Sequence, residues 1–212
     1  MQLLLATSNR GKAQEMREAL DGLGLELLDL NDVPAIGAPE ESGRTFSANA
    51  LQKARHYFDA SGHATVADDS GIHVEALEGE LGIRTRRWGA GPDASDEEWV
   101  AHFLERMKRE RNKRARFVCA IAHVGRKGQV QVFEGACDGI IADELEADYL
   151  PGLPISACFR PDGYDLVFSA LSVEQKNAVS HRGKALLSLK EYFLQRGHLL
   201  ENGPIEPVPE QH

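Results

Sequence analysis

The stretch that decides the fold is Leu3-Leu4-Leu5-Ala6-Thr7-Ser8-Asn9-Arg10-Gly11-Lys12, near the start of the chain. Its apolar half predicts a buried strand, and Met16 and Leu20 then recur at the spacing of one helix face. The polar half is therefore a turn that joins a strand to a helix. Backbone N–H groups at the start of a helix are free and the helix dipole is positive there, which favours an anion.

The side chains of this turn suit a phosphate group, but they also suit a simple connection. Asn9 adds a hydrogen-bond donor, Gly11 permits close approach, and Lys12 supplies positive charge. The motif is short and lacks the glycine pattern of a P-loop, so an ordinary polar turn fits the same spacing. The turn alone leaves both interpretations open.

Strands and helices are mixed along the rest of the chain. Apolar runs predict strands at 25–30, 64–67, 117–124 and 129–134, with 73–77 as a hairpin partner for the strand at 64–67. Helices are expected after an N-cap at Thr45, at 95–109 behind a capping box, and at 183–195. This order predicts an α/β or α+β protein. Its middle, residues 117–168, is expected to form a second, strand-rich lobe with a ligand cleft beside it.

Bulk composition excludes several classes of protein. The 212 residues carry a net charge of −9, which argues against broad binding to a nucleic-acid polymer. No apolar stretch approaches the about 20 residues that span a bilayer, and the start lacks a secretory leader. Three widely spaced cysteines without a CxxC pair indicate neither disulfides nor a zinc site. We therefore expect a cytoplasmic protein with no membrane partner, and a disordered acidic tail at 201–212.

Two adjacent carboxylates follow the predicted strand at 64–67, in the sequence Asp68-Asp69-Ser70-Gly71. Paired carboxylates at a strand end can hold Mg²⁺, which prefers oxygen ligands, and can activate a water molecule. One carboxylate can instead cap the next turn while its neighbour is solvated. The pair by itself fits a metal site and a plain turn equally well.

The densest polar segment runs from Lys176 to Lys184 and contains His181 and Arg182. Cations before a helix N-terminus are unfavourable unless an acid or an anion compensates them. The segment is therefore expected to meet a ligand, the alternative being a solvated basic turn. His181 is interpreted as a hydrogen-bond donor to that ligand and not as a general base. Together with the first turn and the acidic pair, the segment predicts a polyphosphate, a divalent metal and a hydrolytic water.

The same segments, in order, resemble the inosine/xanthosine triphosphate pyrophosphatases. The similarity lies in residues 7–12, 67–71 and 180–185, and in the matching helix positions Thr45-Phe46, Asn49-Ala50 and Lys53-Ala54. It continues through 117–119, 133–135 and 159–164 and covers roughly residues 1–197. The resemblance implies an α/β fold with an elongated mixed β-sheet, flanking helices and two lobes around a central cleft. It also implies one domain over residues 1–200.

The resemblance carries an activity and a set of site residues. The family hydrolyses ITP, dITP and XTP to the monophosphate and pyrophosphate as a homodimer, with Mg²⁺ as cofactor. By position, Asp69 and Lys12 are catalytic, Asp69 activates the attacking water, and Asp68 and Asp69 bind the metal. Asn9, Lys12 and Lys53 hold the triphosphate, and Lys176, His181 and Arg182 contact the nucleotide and its base. The full substrate-binding set is Thr7, Ser8, Asn9, Lys12, Lys53, Ser70, Lys176, His181 and Arg182.

Two departures from the family pattern bear on activity. The family reads Thr-Phe-x-Glu-Asn-Ala with its Glu as a metal ligand, whereas this chain has Ala48, and Glu40 or Glu41 is the candidate to replace that oxygen. The family also has an acid and an aromatic that stacks on the base, whereas this chain has Gly152-Leu153-Pro154-Ile155-Ser156-Ala157. A second-ranked alignment makes Gly163-Tyr164-Asp165 the base loop and requires a deletion.

Three functions fit these observations. The first is an active pyrophosphatase for non-standard purine nucleoside triphosphates. The second is a nucleotide-binding protein that has lost turnover, because of Ala48 and the altered loop at 152–157. The third is a pyrophosphatase with a different base specificity.

Overall fold

The computed structural model describes residues 1–91 and 93–201, with the backbone alone from residue 197 onward. The strands of this described part are Gln2–Leu5 (β1), Glu26–Leu28 (β2), Thr65–Val74 (β3), Arg114–Val124 (β4), Val130–Ile141 (β5) and Phe159–Pro161 (β6). Its α-helices are Arg10–Leu20 (α1), Phe46–Ser61 (α2), Asp96–Met107 (α3), Val173–Val179 (α4) and His181–Glu201 (α5). The tail predicted to be disordered, 201–212, starts at the last residue of α5, Glu201, and its other residues, 202–212, lie outside the described residues. No helix within the described ranges is long and apolar enough to cross a bilayer.

The strands form one mixed sheet in the order β2-β1-β3-β4-β5-β6. Strand β1 is parallel to both of its neighbours, and the remaining pairs are antiparallel. Helices α1 and α2 connect the parallel strands, because parallel strands need a crossover. The predicted mixed sheet with flanking helices is confirmed.

Several local predictions are also confirmed. The Thr45 hydroxyl accepts a hydrogen bond from the Ala48 N–H at the start of α2, and Ser95 and Glu98 form the expected capping box at the start of α3. Strands β4 and β5 pair across the predicted turn at 126–128. The last helix begins at His181, two residues before the predicted start, and the separate short helix α4 precedes it.

The strand that carries the acidic pair is longer than predicted. Strand β3 continues to Val74, so Asp68 and Asp69 lie within a strand and pair in register with Ile121 and Ala120 of β4. The expected hairpin partner at 73–77 is wrong, since β4 is the antiparallel neighbour and residues 75–77 form a 3-10 turn. Aspartate is disfavoured in strands, but this position at the centre of the sheet brings cations from other elements to both carboxylates.

Strand alternation sends the two carboxylates to opposite faces of the sheet. The Asp68 carboxylate contacts side chains of α1 and α5, whereas the Asp69 carboxylate contacts side chains of α2. Each face of the sheet therefore supplies its own partners to one acid of the pair.

Three apolar clusters define the two lobes. One packs α1 and α5 on the sheet around Leu3 and Met16, and the second packs α2 on the other face around Leu4 and Ala50. The third lies at the far ends of β3, β4 and β5, where α3 and Phe159 cover them. This third cluster forms the second lobe, and it includes α3 and the end of β3 besides the predicted residues 117–168. The three cysteines are buried free thiols.

Candidate functional site

One cleft between the lobes collects the three polar segments. It has a volume of about 500 Å³. The predicted site residues that line it are Thr7, Ser8, Asn9, Lys12, Lys53, Asp68, Asp69, Ser70, Lys176, His181 and Arg182. The structure therefore brings together every residue that the sequence proposed for the site, from five different elements and the turn before α1.

The first turn uses much of its hydrogen-bonding capacity within the protein. Asn9 caps α1 by accepting from the Lys12 N–H at 3.0 Å, and its amide nitrogen donates to the Gly152 carbonyl at 3.0 Å. The Gly11 N–H donates to the Pro151 carbonyl at 3.1 Å. A Cβ on Gly11 would lie 2.8 Å from a Leu153 methyl carbon, so the close approach at this glycine is to the 151–153 loop. The Lys12 side chain still reaches the cleft.

Asp68 is a buried anion held by cations. Its Oδ2 accepts from Lys12 Nζ at 3.0 Å and from Arg182 Nε at 3.4 Å. Burial by itself raises the pKa of Asp68, but Lys12, Arg182 and Lys53 outweigh it and hold the pKa far below its ordinary value. The other oxygen, Oδ1, is buried and has no partner among the described residues.

Asp69 has the opposite character from its neighbour. Its Oδ2 accepts from Asn49 Nδ2 at 3.0 Å, and its Oδ1 lies 3.4 Å from Lys53 Nζ. Burial raises the pKa of Asp69 above 3.8, although Lys53 and Asn49 oppose that shift. A carboxylate with a raised pKa is a stronger base, so Asp69 is the better proton acceptor of the pair.

A third carboxylate, Glu41, reaches the same end of the cleft. Its Oε1 lies 3.0 Å from Lys53 Nζ, so one ammonium group bridges Glu41 and Asp69. Burial lowers the pKa of Lys53, but Asp68, Asp69 and Glu41 reverse this and raise it. Of the two acids weighed as a replacement ligand, Glu41 lines the cleft, whereas Glu40 contributes its backbone carbonyl to Gln52 outside it.

Ala48 does not belong to the cleft wall. It is exposed in the first turn of α2, where its N–H is bonded to Thr45, and it is not among the lining residues. Helix α2 instead directs Asn49 and Lys53 toward Asp69.

Glu15 is a functional residue that sequence reasoning missed. This buried acid of α1 is paired with Arg182 and with Lys176, and these cations lower its pKa despite burial, which alone would raise it. Glu15 and Asp68 therefore compensate the cations Lys176 and Arg182 near the start of α5. From the sequence alone, we expected a ligand to do so. The sequence did contain one indication of this role: Glu15 follows Lys12 by three residues, so the two side chains lie on the same face of a helix.

The basic segment splits between two helices that meet at Gly183. A Cβ on Gly183 would lie 2.1 Å from the Asn177 carbonyl oxygen, so glycine permits the contact that brings Lys176 of α4 beside Arg182 of α5. The Ser180 hydroxyl accepts from the Gly183 N–H at 2.9 Å between the helices. Lys184 lies away from the cleft and donates to the Ala136 carbonyl.

His181 lies at the apolar side of the cleft. Its ring stacks on Phe117 with centroids 4.5 Å apart and lies 6.0 Å from Phe168. Burial, followed by the charge of Arg182, lowers its pKa well below the ordinary value. Its Nδ1 is buried without a partner in the described part of the chain, which leaves a polar atom for a ligand.

The loop that departs from the family pattern forms the apolar wall. Residues 152–156 line the cleft, and Pro154–Ala157 form a 3-10 helix. Trp99 of α3 and Phe168 lie on the same wall, whereas Tyr164 does not line the cleft. This geometry favours the ungapped alignment over the one that uses residues 163–165.

The acidic end suits Mg²⁺ better than a transition metal. No cluster of three or more histidine, cysteine or acidic side chains close enough for an all-protein metal site occurs in residues 1–91 and 93–201. Magnesium usually takes only one or two carboxylates, with waters and substrate phosphates as its other ligands. Glu41 and Asp69, which both contact Lys53, provide two carboxylates of this kind.

Known proteins resemble this chain over nearly its whole length. The model of the Ham1 family matches residues 3–192. A dITP/XTP pyrophosphatase of Leptospira interrogans is 39% identical over 192 residues, which cover 91% of this chain and 96% of the relative. Its counterpart in Mycobacterium tuberculosis is 43% identical over 192 residues, covering 88% and 92%. A solved HAM1 protein structure from Coxiella burnetii has a TM-score of 0.78 at 30% identity, covering 92% of this chain and 99% of that one.

Proposed function

Because this chain belongs to the Ham1 family, we propose that it is an enzyme that hydrolyses non-standard purine nucleoside triphosphates. The substrates are dITP, ITP and XTP, and the products are the nucleoside monophosphate and pyrophosphate. One observation carries the proposal. A single cleft joins a cationic end, where Lys12 pairs with Asp68 and Lys53 pairs with Asp69, to an apolar end that accepts a planar base.

The triphosphate binds at the cationic end. Lys12, Lys53 and Lys176 all line the cleft. In the free enzyme each of their ammonium groups is paired with a carboxylate, which balances its positive charge. A polyphosphate brings its own negative charge and shares these cations with the acids. Thr7, Ser8, Asn9 and Ser70 border the same region and complete the proposed binding set.

Asp69 acts as the general base. A water molecule attacks the phosphorus at the α–β bridge, Asp69 takes its proton, and the bond to the bridging oxygen breaks to release pyrophosphate. The raised pKa of Asp69 supports this role, as does the way in which Asn49 and Lys53 orient its two oxygens. Lys12 stabilises the charge that develops on the phosphate oxygens.

Magnesium is the proposed cofactor, and its proposed ligands are Asp69 and Glu41. Asp68, the other acid of the pair, is held by Lys12 and Arg182. When bound, Mg²⁺ neutralises negative charge on the phosphates. Lys53 contacts both proposed ligands, so its ammonium group keeps Glu41 and Asp69 close together in the free enzyme.

We predict that Glu41→Gln raises the Mg²⁺ concentration needed for half-maximal activity, whereas Ala48→Glu does not change it. Loss of a ligand should exceed the about 10-fold that loss of an outer-sphere partner costs. Magnesium titrations of both variants with ITP measure the effect. If Ala48→Glu increased turnover or metal affinity, the exposed side of α2 would take part in catalysis, and our account of the acidic end would be wrong.

A substrate panel tests the function directly. The full chain is incubated with Mg²⁺ and ITP, dITP, XTP, ATP, GTP or pyrimidine triphosphates, and pyrophosphate is measured. Faster turnover of ITP and XTP than of ATP and GTP supports the proposal. Preference for another base favours the alternative of changed specificity, which the altered 152–157 loop motivates. Binding without turnover favours a non-catalytic member, and release of single orthophosphates overturns the class.

We further propose a single two-lobed catalytic domain through residue 200, acting as a homodimer in the cytoplasm. Three buried free thiols suit a reducing compartment. The net charge of −9 supports a small anionic substrate in a local cationic cleft over a nucleic-acid polymer. Light scattering at several protein concentrations tests the dimer.

A further inference from the structure

The apolar end of the cleft contains a buried hydrogen-bond donor without an acceptor. Trp99 of α3 lines the cleft and is only 3% exposed. Its indole Nε1 is fully buried, yet no acceptor for it occurs among the residues that the structure describes. Buried donors are nearly always paired in folded proteins, so a lone one in a ligand cleft points to a partner that the ligand supplies.

Neighbouring rings hold Trp99 in this position. Its indole stacks on Phe103 with centroids 5.4 Å apart and an interplanar angle of 18°. Trp88 meets it edge-on at 6.2 Å. The packing on α3 therefore restricts the orientation of the N–H before a ligand binds.

The chain's second tryptophan provides an internal comparison. Trp88 lies beside Trp99 but does not line the cleft, and its Nε1 donates to Glu80 at 3.1 Å. The tryptophan away from the cleft thus has an acceptor, and the tryptophan on the cleft wall has none among the described residues.

The facing loop does not supply side-chain donors of its own. Leu153, Pro154 and Ile155 are apolar, and the Ser156 hydroxyl already donates to the Leu153 carbonyl at 2.6 Å. The base end therefore offers Trp99 Nε1 and His181 Nδ1 as its buried polar atoms without partners in the described part of the chain. A purine ring placed here would be sandwiched by apolar groups and recognised by few polar contacts.

We propose that Trp99 determines specificity by donating its indole N–H to the 6-oxo oxygen of the bound purine. This inference rests on the proposed function, which brings a purine to this end of the cleft. A 6-amino group presents N–H donors at the same position, so adenine would leave the indole donor unpaired and oppose it. Trp99 thereby favours binding of 6-oxopurines over 6-aminopurines. It does not discriminate between guanine and hypoxanthine, which both carry a 6-oxo group.

Trp99→Phe tests the proposal, because it keeps an aromatic ring and removes the N–H donor together with part of the indole; the comparison of two substrates separates the loss of the donor from the loss of volume. The substrates are ITP and purine riboside triphosphate, which has hydrogen in place of the 6-oxygen. We expect kcat/KM for ITP to fall about tenfold, the value of one hydrogen bond, with kcat/KM for purine riboside triphosphate unchanged. Trp88→Phe, the matched control, should leave the ratio between the two substrates as it is in the wild type. An equal loss for both substrates, or no loss for ITP, overturns the proposal.

Fluorescence provides a readout independent of turnover. Trp88→Phe leaves Trp99 as the only tryptophan, since the chain contains two. Titration with the α,β-methylene analogue of ITP should change its emission, whereas inorganic pyrophosphate should not. If the wild type released no pyrophosphate but this titration responded to the base, the proposed function would fail and the Trp99 contact would stand. Turnover of ITP with no response of Trp99 would instead overturn the Trp99 contact and leave the proposed function intact.

Discussion

Asp69→Asn is expected to lower kcat by about 10²- to 10⁴-fold, the usual contribution of a general base, without unfolding the protein. The amide cannot take the proton of the attacking water. It keeps the shape of the carboxylate, and its oxygen can still accept from Asn49. Pyrophosphate release from ITP at saturating Mg²⁺ measures the effect.

The neighbouring acid provides the matched control for this prediction. Burial raises the pKa of Asp69, so the fold disfavours its charge, and neutral asparagine should leave stability unchanged or slightly higher. The pKa of Asp68 is lowered by Lys12 and Arg182, so its charge stabilises the fold, and Asp68→Asn should reduce the thermal midpoint. If Asp69→Asn retained wild-type kcat, or if both variants lost stability alike, the division of roles between the two acids would be refuted.

The sequence predicted those features whose causes are local. The strand, turn and helix at the start of the chain follow from an apolar run and a helical repeat. The capping box before α3 and the β4–β5 hairpin follow from residues a few positions apart. Most of the site residues were found because they lie in short polar segments that a strand or a helix end presents to one cleft, whereas Lys53, in the middle of α2, came from the family resemblance.

Features with distant causes escaped sequence reasoning. Strand β3 passes through Asp68 and Asp69 because cations from α1, α2 and α5 reach them, which no local preference for strand formation can indicate. From the sequence alone, Glu15 is one polar residue of a surface helix. Its role follows from the fold, because α5 places Arg182 beside it. The sequence does not indicate the direction of position 48 on α2; in the structure Ala48 is exposed and does not line the cleft.

Glu15→Gln is expected to lower the free energy of unfolding by about 3–5 kcal/mol, the usual cost of breaking a buried ion pair by removing one partner. Glu15 balances Arg182 and Lys176, and glutamine keeps the size while removing the charge. Lys176 of α4 and Arg182 of α5 then lie beside each other with one acid fewer, and the helix dipole also opposes Arg182 at the start of α5. Urea unfolding at neutral pH measures the loss. Glu18→Gln, on the same helix, is the control, because among the described residues Glu18 pairs only with the neutral Gln14 amide on the surface, so the substitution should change stability little.

The same pair of proteins should converge in acid. The pKa of Glu15 is lowered from 4.5 in the folded state, so its charge stabilises the native fold above that pH and the contribution is lost as pH falls through the folded pKa. The wild type loses this contribution on acidification, whereas Glu15→Gln lacks it at every pH. The difference in unfolding free energy between them should therefore be largest at neutral pH and shrink below pH 4.5. A difference that stayed constant down to the acid transition would mean that glutamine disturbs packing, and that the charge of Glu15 does not hold Arg182 in the cleft.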